Sequence, residues 1–114
     1  GAPAYVAYFP CRYQVDSSSF DSTVVPVRCG MHVRTAWLDG TSAAEKRLAR
    51  WASGSSVPFI TITANLREFS RESGPLYYAV DGHWNAAGHN AAARSLRDWL
   101  ARQLDPLTQT AISP

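Results

Sequence analysis

Asp81-Gly82-His83 holds the two side chains whose types and spacing best suit chemistry. A carboxylate two residues before an imidazole, with glycine between, can fold back through a sharp bend to reach Nδ1–H. That contact fixes the tautomer, stabilises the imidazolium and leaves Nε2 free to act as a base. The pair is two members of a three-member nucleophile–base–acid set. The same residues also suit a plain tight turn, capped by Asp81 with His83 exposed, and the spacing alone does not separate the two readings. Trp84 beside them can wall a site or stack on a sugar, and can equally pack beneath the turn. Tyr77 and Tyr78 alternate, which sends one inward and leaves the other, Tyr78, for a pocket. Arg12 and Tyr13 follow an earlier apolar run, where α/β proteins gather substrate contacts; a solvated arginine is the alternative for Arg12.

The remaining reactive side chains carry less. His89 falls beside the apolar stripe of a helix, where packing or hydrogen bonding accounts for it. Asp81, His83 and His89 lack a recognised ligand spacing and a further strong ligand, so neither a metal nor an organic cofactor is expected. His32 has no partner in sequence. Cys11 and Cys29 bracket a polar segment. A bridge closing it would contribute about 3 kcal/mol by restricting the unfolded chain and would imply an oxidising compartment. Two unrelated thiols are the alternative.

The elements that must position these groups follow from hydrophobic period and punctuation. Residues 4–9, AYVAYF, are continuously apolar and stopped by Pro10, which reads as a strand buried on both faces. Residues 11–40 keep no period and read as a long loop or insertion, with a short strand over 24–28. Ser42 and Glu45 form a capping box for a helix whose apolar face is Ala44, Leu48, Trp51 and Ala52, with Gly54 as its stop. Residues 57–63, VPFITIT, form a second β-branched strand. A short helix over 65–71, capped by Asn65, ends at Gly74-Pro75. Asn85 caps a long helix over about 86–104, with an apolar stripe of Ala93, Leu96, Trp99, Leu100 and Leu104, and Ala92 alongside. Trp37, Trp51 and Trp99 are core or interface residues, and 106–114 is a disordered tail. Strand–helix–strand order predicts a parallel pair, and so small a sheet leaves edges open. The chain is therefore expected to be part of a larger α/β domain or to complete its sheet with another chain.

The string DGHWNAAGH, followed by an Ala-rich helix, resembles the last block of SGNH (GDSL-like) hydrolases. It is also similar to the SGNH-like domains of bacterial polysaccharide O-acetyltransferases of the alginate type. The segments AYFPCRYQV, VPFITITANLREF and PLYYAVDGHW are consistent with that resemblance, which spans about residues 4–104, with only DGHWNAAGH specific. It implies a partial three-layer α/β/α body, flavodoxin-like, over residues 1–105. It further implies that Asp81 and His83 are the acid and base of a triad. The nucleophile departs from the pattern, because no Gly-Asp-Ser occurs. Ser17, Ser18, Ser19 and Ser22 lie in the polar loop, Ser55 and Ser56 precede the second strand, and Ser42 caps a helix. The resemblance thus implies a portion of a serine ester hydrolase or O-acyltransferase, acting on acetyl esters of carbohydrates, whose serine lies outside this chain. Trp84, Tyr78 and Arg12 are the expected substrate contacts. The alternatives are a non-catalytic glycan- or protein-binding module and a metal-binding domain using the histidines.

Composition bounds these readings. The chain has 114 residues, 46% hydrophobic and 18% charged, which suits one globular domain and excludes an intrinsically disordered chain. Net charge is +2, with the arginines scattered, so no nucleic-acid partner is expected. No apolar run has the roughly 20 residues of a membrane helix. The start, GAPAYVAYFP, lacks the basic n-region of a signal peptide. An extracytoplasmic location, periplasmic or secreted, is the expectation that the cysteines and the resemblance carry.

Overall fold

The computed structural model describes residues 3–19 and 42–105. Two strands, β1 (Val6–Tyr8) and β2 (Phe59–Thr61), pair in parallel, with Val6 opposite Phe59 and Tyr8 opposite Thr61. Around them run α1 (Arg12–Val15), a 3₁₀ turn at Ser17–Ser19, α2 (Ala43–Gly54), α3 (Thr63–Ser73) and α4 (Ala86–Leu104). The result is a mixed α/β body, mostly helical, with a small two-stranded parallel sheet. Within the described residues each strand keeps one open edge.

Both strands are half-buried along their length, not buried on both faces as the apolar runs predict. A two-stranded sheet has too little neighbouring structure to cover two faces. The expected loop at 11–40 opens instead with α1. There the buried Gln14 side chain accepts from the Cys11 backbone N–H at 2.9 Å and from the Tyr8 hydroxyl at 3.0 Å, which folds the chain tightly against the end of β1. The expected strand at 24–28, residues 20–41 generally, and the expected tail lie outside the described residues, as do Cys29, His32 and Trp37.

α2 begins with half of the expected capping box: Ser42 Oγ accepts from the Glu45 N–H, but the Glu45 side chain does not return to the Ser42 N–H. Its buried face differs from the predicted one. Ala52 is covered, but Ala44 is exposed, and Leu48 and Trp51 are 36% and 52% exposed. Buried instead are Glu45 and Ala52, with Ala49 half-covered between them. The Glu45 carboxylate turns inward because the Thr61 and Thr63 hydroxyls donate to it, and that anchor rotates the larger apolar side chains outward. Gly54 is the last helical residue, but the left-handed residue after the helix is Ser56, at φ 54°.

α3 starts at Thr63, so Asn65 sits inside its first turn and not at its cap, which is Ile62. Gly74, at φ 90°, ends it in a conformation that costs other residues strain. α4 matches its predicted bounds, with Asn85 Oδ1 accepting from the Gly88 N–H at 2.9 Å. Its buried face is Gly88, Ala91, Ala92, Ser95 and Trp99, while Ala93 and Leu104 are exposed. Small residues face inward because α3 and the segment before α4 approach closely. The core is Ile62, Leu66, Leu76, Tyr77, Ala91 and Ala92, flanked by Val15, Ile60, Phe69, Trp84 and Leu96. Ile62 and Leu66 are fully covered. Each contributes about 2–3 kcal/mol by burial.

Candidate active site

The segment carrying Asp81 and His83 leaves the core and returns to it within a few residues. Leu76 and Tyr77 are buried, and the Tyr77 hydroxyl donates to the Pro10 carbonyl at 2.9 Å. Burial pushes that phenol up to about 12. Tyr77 and Trp84 face each other as an antiparallel bridge, and the Tyr78 N–H donates to the His83 carbonyl at 3.0 Å. Asn85 closes the root, its backbone N–H on the Leu76 carbonyl at 3.0 Å and its side-chain amide on the Pro75 carbonyl at 2.8 Å. α4 starts directly against this root. A Cβ on Gly88 would lie 2.1 Å from the Leu76 carbonyl oxygen and 3.0 Å from Trp84 Cβ, so only glycine fits.

At the tip, Asp81 Oδ1 accepts from the His83 backbone N–H at 2.9 Å and lies 3.4 Å from His83 Nδ1. The backbone N–H, ahead of the ring, holds the Asp81 carboxyl below the usual carboxylate range. With Nδ1 turned to the carboxylate, Nε2 is the nitrogen left for proton transfer. The His83 side chain is 86% exposed, so solvent or a docking surface reaches it freely. The bend brings carboxylate and imidazole together and leaves the ring open.

The other expected residues take distinct places. Tyr77 goes inward and Tyr78 outward, as their alternation implies. Trp84 packs under the turn, edge-on to Phe9 with centroids 5.4 Å apart and to His89 at 5.6 Å. Arg12 is no solvated arginine. Its Nη1 donates to the Tyr78 carbonyl at 3.3 Å and to the Ala79 carbonyl at 2.9 Å. Cys11 is a half-buried free thiol. Within the described residues no three His, Cys, Asp or Glu side chains gather as metal ligands. His89, turned to the Trp84 ring, is not drawn to Asp81 and His83.

No described serine meets His83. Ser42 is buried as a helix cap with its Oγ 2.9 Å from the Tyr8 hydroxyl, Ser18 donates to Asp16, and Ser55 and Ser56 are exposed beyond α2. A cleft of about 560 Å³ between the 3₁₀ turn and α3 is lined by Asp16, Ser17, Ser18, Arg67, Ser70 and Arg71, among others, and includes neither Asp81 nor His83. A smaller cavity of about 110 Å³ lies at the root of the turn, between Arg12, Asp16, Pro75, Leu76, Tyr77 and Ala79.

Three features escaped sequence reasoning: the Arg12 contact, the need for glycine at 88, and the inward Glu45. The alternating threonines of VPFITIT were the available signal for Glu45, since two hydroxyls on one strand face invite an acceptor. Nothing in the sequence pairs Arg12 with carbonyls more than sixty residues away. Comparison with protein-family models, curated proteins and solved structures returns no match.

Proposed function

We propose that this chain supplies the acid–base pair of an SGNH-type serine ester hydrolase or O-acyltransferase acting on acetyl esters of carbohydrates, the nucleophilic serine coming from outside the chain. The observation that carries this reading is the 3.4 Å approach of Asp81 Oδ1 to His83 Nδ1 on an open turn. In the proposed reaction Nε2 of His83 takes the serine proton as the serine oxygen attacks the ester carbonyl. Collapse of the adduct breaks the ester bond, and Nε2 returns its proton to the leaving alkoxide. A water or a sugar hydroxyl then repeats the sequence on the acyl-serine, giving hydrolysis or transfer. Asp81 holds the ring and offsets the imidazolium charge. No metal or organic cofactor enters these steps. The open sheet edges are where a serine-bearing part of the same domain, or another chain, would add strands.

The test is release of p-nitrophenol from p-nitrophenyl acetate. The chain alone gives only the imidazole background. The chain combined with a segment supplying the serine exceeds it by at least about 100-fold, and His83→Ala removes that gain. Equal rates for His83→Ala and the unaltered chain in the combined sample would end the reading. A second reading, a non-catalytic module binding glycan or protein, is favoured by the exposure of His83 and by the exposed rings of Phe9, Trp51 and Tyr78. Glycan binding that survives His83→Ala would support it.

A further inference from the structure

We infer that Arg12 is a positioning residue, a brace that holds the Asp81–His83 turn to the carboxyl end of the sheet. The inference rests on the proposed function for its meaning and on geometry for its content. Among the described residues the tip of the turn has few other holds: Tyr78 and Val80 are 52% and 91% exposed, and residues 79–82 are all exposed. The Tyr78–His83 backbone bond joins the two arms to each other but to nothing else. Among the described residues, Arg12 reaches the outgoing arm from another element, with two carbonyls on one guanidinium nitrogen.

The other end of the brace is firmly seated. Arg12 opens α1, whose Gln14 is buried and takes hydrogen bonds from the Tyr8 hydroxyl and the Cys11 N–H. The Tyr8 hydroxyl also meets Ser42 Oγ at the start of α2. On the far side, the Gln14 carbonyl accepts from Arg67 Nε of α3 at 2.6 Å. A continuous path of hydrogen bonds therefore runs from β1, α2 and α3 through α1 to the backbone two residues before Asp81. Charged donors on carbonyls are among the stronger hydrogen bonds, and a guanidinium keeps its charge at any working pH. The geometry assigns Nη1 of Arg12 to backbone carbonyls.

The experiment is backbone amide exchange on the whole chain, with Arg12→Met and Arg12→Lys. Arg12→Met keeps the stem but has no donor. It speeds exchange at Tyr78 and His83 by about tenfold or more, the loss expected for hydrogen bonds from a charged group. Amides of Leu66 and Ala92 keep their rates, which separates local release from general destabilisation. Arg12→Lys, with a charged donor on a similar stem, restores at least part of the protection. In the combined esterase sample Arg12→Met lowers kcat and leaves KM unchanged, whereas a substrate contact would raise KM. Unchanged exchange at Tyr78 and His83 in Arg12→Met would overturn the brace whatever the esterase result. Altered exchange in a chain with no esterase activity would retain the brace and remove the proposed function.

Discussion

Two carboxylates in this molecule each face two donor groups in opposite surroundings. Glu45 accepts from the Thr61 and Thr63 hydroxyls on one oxygen, is 3% exposed, and leaves its other oxygen buried without a partner. Asp81 accepts from the His83 N–H and faces its ring, on a turn that solvent reaches from most sides. The first joins α2 to the end of β2 and has no route to a substrate. The second joins nothing in the core, so stability asks little of it. A hydrogen-bonded carboxylate in sequence thus says little about role, and burial decides. The buried one fixes the frame, and the exposed one, among the described residues, meets the His83 N–H and ring.

The sharpest division between them is in stability. Glu45→Ala removes the acceptor that the Thr61 and Thr63 hydroxyls share and opens a cavity, and is expected to lower unfolding free energy by about 2 kcal/mol. Asp81→Asn, at an exposed tip, leaves the urea midpoint where it was. Equal midpoint shifts in the two variants would erase the distinction. Gly88→Ala tests the seam between the regions, because its methyl would collide with the Leu76 carbonyl and push α4 away from the turn. The expected loss is about 2 kcal/mol, read as a lower urea midpoint together with faster exchange of the Asn85 amide. A full-stability Gly88→Ala variant would mean that the root of the turn is looser than the contact implies.

Tyr77 spans the two regions, since its ring is in the core and its hydroxyl holds the end of β1. Tyr77→Phe leaves the buried Pro10 carbonyl short of a donor and should cost about 1 kcal/mol. The phenol also sets an alkaline limit. Its pKa is higher in the fold than in the unfolded chain, so its contribution is complete below the ordinary phenol range and is lost as pH rises through about 12. Unfolding free energy followed by urea titration at increasing pH should decline in that window, and by less in Tyr77→Phe. The same decline in both proteins would assign the alkaline limit elsewhere.

Local signals read well here and long-range ones did not. Asn85, with a side chain suited to an N-cap and an alanine-rich run behind it, located α4 to the residue. Gly74 ended α3 for the expected conformational reason. The Asp81–His83 contact was legible from the two-residue spacing; the glycine between them was not the reason, because Gly82 takes no left-handed φ and a Cβ there would meet nothing within 4 Å. The buried faces of α2 and α4 were read in part: Ala52, Ala92 and Trp99 are inside as expected, whereas Ala44, Leu48, Trp51, Ala93 and Leu104 are exposed. Hydrophobic period picks the largest apolar stripe, whereas these helices approach their neighbours through Ala52, Ala91, Ala92 and Gly88. Where backbones come close, small residues are the inside, and Leu48, Trp51 and Leu104 remain on the surface. The Arg12 contact depends on where α1 is carried by Gln14 and Tyr8, which no local pattern encodes.

Acid should act on the exposed turn by the smallest and most local effect. The Asp81 carboxyl is held below its usual range, first by the His83 N–H. A carboxyl lowered on folding contributes order that is complete above the ordinary carboxylate range and fades as pH falls through the lowered value. From neutral pH down to the ordinary range the contribution of the Asp81 charge is therefore unchanged. Below it, protonation removes the charge that the His83 N–H and ring face, and the tip loosens while the core remains. The His83 amide proton, followed by NMR, should shift with Asp81 protonation, and its exchange should quicken without movement of the Leu66 and Ala92 amides. Asp81→Asn should abolish that step, because an amide side chain has no carboxyl to titrate. A step that survives in Asp81→Asn would mean that some other acid orders the turn, and the exposed carboxylate would lose its claim on the ring.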